Sequence, residues 1–98
     1  MDKRRKIREK KNGGIFRITE WNGMKKFFLF SCLSCQKTEP EIKLTIDHVV
    51  PISKGGQDSI FNIQPLCFSC NARKHDKIID YRNSTHFQDF IKFVKKLK

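Results

Sequence analysis

Apolar positions along the 98-residue chain fall into short, separated clusters, each of which predicts an element. Lys43-Leu44-Thr45-Ile46-Asp47-His48-Val49-Val50 is rich in β-branched residues, alternates, and runs into Pro51, so it predicts a strand ending near Val50. Ile63 to Cys67 predicts a short second strand, and Cys70 to about Arg82 has helical character. Between the strands, Pro51 to Asn62 forms a loop with Gly55-Gly56 at its bend, and loops of that length in a small domain are usually functional. Thr85 and Gln88 make a capping-box pattern ahead of a last helix, on which Phe87, Phe90, Ile91, Val94 and Leu97 recur at helical spacing. That stripe predicts core packing, with Lys92, Lys95, Lys96 and Lys98 on the other face near the helix C-terminus.

The N-terminal part is less regular. Ile15 to Glu20 alternates too loosely to separate a strand from a helical turn, and Trp21-Asn22-Gly23 reads as a turn. Phe27-Phe28-Leu29-Phe30 is a compact apolar run leading into Cys32, and consecutive phenylalanines are expected inside a small domain rather than on a ligand. Internal repeats and low-complexity segments are absent.

Length allows one domain, and a core drawn from 38% hydrophobic residues is thin enough to gain from a staple. Charge changes the picture more. The chain carries 21 Lys and Arg against 10 Asp and Glu, a formal net charge of +11, which attracts polyanions as a class. Residues 1 to 12 hold seven basic side chains against two acidic ones, whereas residues 13 to 72 hold six against five. Residues 1–14 therefore read as a flexible basic arm, 15–83 as the central domain and 84–98 as an amphipathic basic helix packed on it. The ends are suited to gripping phosphate and the middle to chemistry. No apolar run is long enough to span a membrane, and Met1-Asp2-Lys3-Arg4-Arg5-Lys6 is not followed by the apolar stretch of a secretory signal. The expected setting is a reducing cytosol.

In that setting the four cysteines point to metal rather than disulfides. Cys32-x-x-Cys35 and Cys67-x-x-Cys70 lie 31 residues apart, and each pair has the spacing that lets two thiolates share one tetrahedral ion. Four sulfurs with no open position suit structural zinc, which would pin both ends of the intervening segment.

Within that bracket stand Asp47-His48, the Gly55-Gly56 loop, Asn62 and Cys67-Phe68-Ser69-Cys70-Asn71-Ala72-Arg73-Lys74. From about Cys32 to Lys77 this compound pattern resembles the HNH nuclease family in its cysteine-containing branch. The resemblance implies a small α+β domain of the ββα-metal type, in which two short antiparallel strands and a helix surround one divalent ion at the scissile phosphate. It implies His48 as general base, Asp47 and Asn71 as metal ligands, and Asn62 as the residue whose amide holds the long loop. His75, four residues after Asn71, is the candidate for a further ligand. Oxygen ligands suit Mg2+ or Mn2+, and an added imidazole would extend tolerance to Ni2+. Lys54, Arg73 and Lys74 are the expected phosphate contacts, Lys74 foremost. Asp47 and His48 are neighbours on a strand, so both can face one site only if the strand leaves regular geometry there.

The activity implied is hydrolysis of DNA phosphodiester bonds, in a bacterium or an infecting phage. Two alternatives stay open: a zinc-stabilised nucleic-acid-binding module without cleavage, and a nuclease subunit of a larger restriction, homing or packaging assembly. A homodimer would let one site serve each strand, although nothing in the sequence demonstrates one.

Overall fold

The computed structural model describes residues 16–82 and 84–96, with backbone alone at 84–86. The basic arm at 1–14 and the terminal Leu97 and Lys98 lie outside the described residues.

Helix α1 spans Ile18–Phe27. Its entry is closed by Glu20, whose Oε1 accepts the Arg17 N–H at 2.9 Å, satisfying one of the orphan donors of a helix start. Trp21 and Met24 are buried, and Phe28 beyond the helix end continues the same inner face. The expected turn at Trp21-Asn22-Gly23 is thus corrected: burial of Trp21 and Met24 one turn apart outweighs the turn preference of Asn-Gly, and Gly23 lies in open space. Just past the helix, Leu29 and Phe30 are both at positive φ, and Phe30 N–H returns to the Lys25 carbonyl at 2.7 Å. That turn divides the apolar run. Phe28 goes inside while Leu29 and Phe30 are exposed, so the expectation of an entirely internal run holds for its first half only.

Strands β1 (Leu44–His48) and β2 (Ile63–Cys67) pair antiparallel, in register from Leu44 opposite Cys67 to His48 opposite Ile63. All five β2 residues are buried, as expected of a strand covered on both faces. The connection at 49–62 holds two short 3-10 turns, Ile52–Lys54 and Ile60–Asn62. Helix α2 (Phe68–Lys74) follows β2 without a linker and packs on both strands. It stops far short of Arg82 because His75 adopts φ 54°, outside helical geometry. The chain then runs on to α3 (Ser84–Lys96) through a segment fastened to Gln64 of β2, whose amide donates to the Ile79 carbonyl at 2.9 Å and accepts the Tyr81 N–H at 2.9 Å.

On α3, Phe90, Ile91 and Val94 are buried and Lys92, Lys95 and Lys96 exposed, which is the face division that the spacing predicts. The helix begins one residue before Thr85, whose side chain lies outside the described residues, as does any cap it makes. Phe90 meets Phe27 at 5.2 Å and Phe28 at 6.5 Å between ring centroids, joining α3 to α1. Among the described residues the result is a small α+β fold of three α-helices and a two-stranded sheet, with one core that includes Cys32, Cys67 and Cys70.

Candidate functional site

The four cysteines converge. Their Sγ atoms all lie within 4.8 Å of one another, and among the described residues this is the only group of three or more Cys, His, Asp or Glu able to hold an ion. Cys35 and Cys67 sulfurs are 3.9 Å apart. Tetrahedral zinc, with Zn–S near 2.3 Å, places its sulfurs roughly 3.8 Å apart, so the set fits that ion. Local backbone prepares the first pair: Cys35 N–H points at Cys32 Sγ at 3.5 Å, and Gln36 N–H returns to the Cys32 carbonyl at 2.8 Å. Burial pushes the Cys32 thiol up, but backbone N–H groups of Cys35, Cys67 and Ser34 outweigh it and bring the thiol down to about 7. Burial pushes Cys70 the other way, to about 11, with its sulfur neighbours adding to the rise. A pocket in which one sulfur favours the thiolate and another resists it without a counter-charge is suited to a divalent cation.

Arg73 donates to Cys70 Sγ at 3.2 Å. The residue is exposed, but its guanidinium is engaged at the sulfur cluster.

The second centre lies where β1 ends. Asp47 is buried, and its Oδ2 accepts the Gln64 amide at 2.8 Å and stands 3.2 Å from Lys74 Nζ. Lys74 also donates to the His48 carbonyl at 3.0 Å. Its side chain is fully buried, so the ammonium expected on phosphate is turned inward instead. Asn71 Nδ2 donates to Thr45 Oγ1 at 2.9 Å and to the Ile46 carbonyl at 3.4 Å, which turns the amide nitrogen onto β1. The Asn71 amide oxygen and the second oxygen of Asp47 are what remain as donors. Both are hard oxygens, and their chemistry fits Mg2+ or Mn2+ with water and phosphate completing the shell. His75 does not share a helical face with Asn71: the helix has ended, its backbone is left-handed, and the residue is exposed.

His48 takes a separate direction. Its Nε2 lies 2.7 Å from Oδ1 of Asp58, which is completely buried, while the imidazole is 18% exposed. Pairing with β2 persists through His48, and irregular backbone begins only at Val49, so the expected departure of the strand falls after the Asp47-His48 pair. Asp47 faces α2 and Gln64, whereas His48 faces the loop.

Asn62 holds that loop. Its Oδ1 accepts the Val50 N–H at 3.0 Å, and its Nδ2 donates to the carbonyls of Val50 at 3.0 Å and Gln57 at 2.7 Å. Gly56 is pressed so close to Val50 that a Cβ would fall 1.7 Å from the carbonyl oxygen. Lys54 is exposed in the first 3-10 turn and remains available to a phosphate. Asp58 and Gln64 were not anticipated. An acid two residues past Gly-Gly reads as turn chemistry, and a lone glutamine in an apolar strand offers no sign of its partners.

Two antiparallel strands followed directly by a short helix, with four clustered cysteines at its start, define a ββα finger. Residues 32–77 match the family model for HNH endonuclease. No curated protein and no solved structure matches the chain. No helix among the described residues is long and apolar enough to cross a membrane.

Proposed function

We propose that the protein is a metal-dependent endonuclease that hydrolyses phosphodiester bonds of DNA, with zinc in the cysteine knuckle serving the fold alone. The observation that carries this reading is the finger itself: His48 and Asp47 end β1, and Asn71 of α2 is bonded to the same strand at Thr45 and Ile46. Asp47 and Asn71 would hold one divalent ion, Mg2+ or Mn2+, which when bound offsets charge developing on the phosphate and on the departing 3′ oxygen. His48, partly exposed, takes a proton from the attacking water, the task to which imidazole is suited near neutral pH. Asn62 keeps the loop that frames the base in place. Exposed Lys54, Lys92, Lys95 and Lys96 add non-specific affinity through counterion release, so activity should fall steeply with added salt. A reducing, cytoplasmic setting is consistent with four cysteines kept as thiols.

The test is cleavage of supercoiled plasmid at low salt by zinc-loaded wild type and His48→Ala, with Mg2+, Mn2+, Ni2+ or EDTA. Wild type should cut only with added metal, and the variant should be slower by about 100-fold or more. If both bind DNA and neither cuts, the protein is a binding module or works only within a larger assembly.

A further inference from the structure

We propose that Asp58 is the positioning residue for His48: it holds the imidazole in the tautomer protonated at Nε2 and leaves Nδ1 as the atom that accepts the proton from water. The catalytic half of this inference rests on the nuclease reading, while the tautomer is a property of the folded protein that can be measured without any cleavage.

The geometry begins with the 2.7 Å contact between His48 Nε2 and Asp58 Oδ1. A carboxylate only accepts hydrogen bonds, so the shared proton sits on the imidazole, at Nε2. A neutral ring then has its lone pair on Nδ1, on a side chain that is partly exposed. Complete burial of Asp58 keeps competing water off the carboxylate and makes the imidazole N–H a strongly favoured donor.

What distinguishes this contact from a chance surface pair is how firmly both sides are held. The His48 backbone is fixed by its pairing with Ile63 and by the Lys74 ammonium on its carbonyl. Asp58 is held from both flanks by Asn62, whose side chain grips the Gln57 carbonyl at 2.7 Å while its backbone N–H reaches the Ser59 carbonyl at 2.9 Å. Upstream, Gly56 N–H is tied to the Pro51 carbonyl at 3.0 Å, and Gly56 is packed where no side chain fits. The loop is therefore a frame whose product is the position of one carboxylate. This gives the loop-holding amide of Asn62 a specific purpose, since releasing it would free Asp58 and with it the ring.

In the reaction, Nδ1 takes a proton from water as the water oxygen bonds to phosphorus. The bond from phosphorus to the 3′ oxygen breaks, that oxygen leaves with the electron pair, and solvent protonates it. The imidazolium so formed keeps its Nε2–H on Asp58, whose negative charge stabilises it.

The test uses full-length, zinc-loaded protein with 15N-labelled histidine at mildly alkaline pH, without added divalent metal. His48 is assigned by the signal lost in His48→Gln. Long-range proton–nitrogen correlations should show His48 wholly protonated at Nε2, and Asp58→Asn, which keeps the volume, should introduce the Nδ1–H form. In cleavage assays Asp58→Asn should lower kcat by about 100-fold with KM nearly unchanged, and adding His48→Ala to it should cost little more. A wild-type His48 protonated at Nδ1 overturns the inference, as does an Asp58→Asn protein that keeps the wild-type tautomer and rate. Should Asp58→Asn fail to fold, the wild-type spectrum alone decides. If wild type fails to cut with every metal added, the nuclease reading fails separately, and the spectrum still judges the positioning role.

Discussion

Lys74 Nζ stands 3.2 Å from Asp47 Oδ2, with the lysine side chain fully buried and the aspartate nearly so. One cation thus faces the carboxylate of a candidate metal ligand from inside the protein, and the same ammonium caps the His48 carbonyl. A buried pair of this kind is dangerous to break, because the partner left behind keeps its charge without compensation. Lys74→Met is expected to cost about 3 kcal/mol or more, and Asp47→Asn added to it should return part of the loss. Urea unfolding of the zinc-loaded variants measures both, and a Lys74→Met protein as stable as wild type would show that the pair contributes nothing.

Gly56→Ala is expected to cost about 2 kcal/mol or more, because the new methyl meets the Val50 carbonyl, which is backbone and cannot swing aside. Gly55→Ala is the control. There the space is open and the only penalty is a φ of 91°, so a loss near 1 kcal/mol is expected. Equal melting points for the two variants would remove the close approach as the reason for a glycine at 56.

Zinc removal should unfold the domain rather than merely loosen a loop, since Cys32, Cys67 and Cys70 belong to the core itself. Titrating a chelator while recording far-UV circular dichroism and released zinc should give one coincident transition. Loss of the ion with the helical signal and the thermal midpoint intact would contradict a structural role.

Arg82 supplies a pH-dependent clasp. It grips both oxygens of Asp80, at 2.8 and 2.9 Å, donates to the Phe61 carbonyl at 3.0 Å and lies over the Phe87 ring. Hydrogen bonds from Arg82 hold the Asp80 carboxyl below its usual range. A lowered folded-state value means that the stabilisation is fully present above the ordinary aspartate value of about 3.9 and is lost as pH falls through the folded one. Asp80 is about half exposed, so the contribution is small, under about 1 kcal/mol. Wild type and Asp80→Asn should differ in urea midpoint at neutral pH and converge in strong acid; a gap that widens on acidification would reverse the sign.

Both strands could be read from sequence because their period is local: the alternation before Pro51 and the run from Ile63 to Cys67 each contain their own signal, as does the stripe on α3. The cysteine knuckle was legible from spacing. What escaped was long-range pairing. Asp58 lies 10 residues from His48, Gln64 17 from Asp47, and Lys74 26 from the His48 carbonyl it caps, and one sequence holds no record of which polar group meets which. Sequence alone makes Lys74 a phosphate contact beside Arg73, whereas its ammonium is buried against Asp47 and the His48 carbonyl. For His75, the offset from Asn71 carries a shared-face meaning only while the backbone stays helical, and at His75 it has left helical geometry.

Helix α2 has only seven residues, well under the length at which a helix persists by itself in water. Its direction is consequently borrowed: sulfur anchors it at Cys67 and Cys70, and the Lys74 ammonium anchors it at the other end. Asn71 rides between these moorings like a span between two piers. Its aim thus depends on residues outside the candidate metal-ligand pair, and a small displacement at either pier would mis-point the amide while leaving every strand hydrogen bond in place.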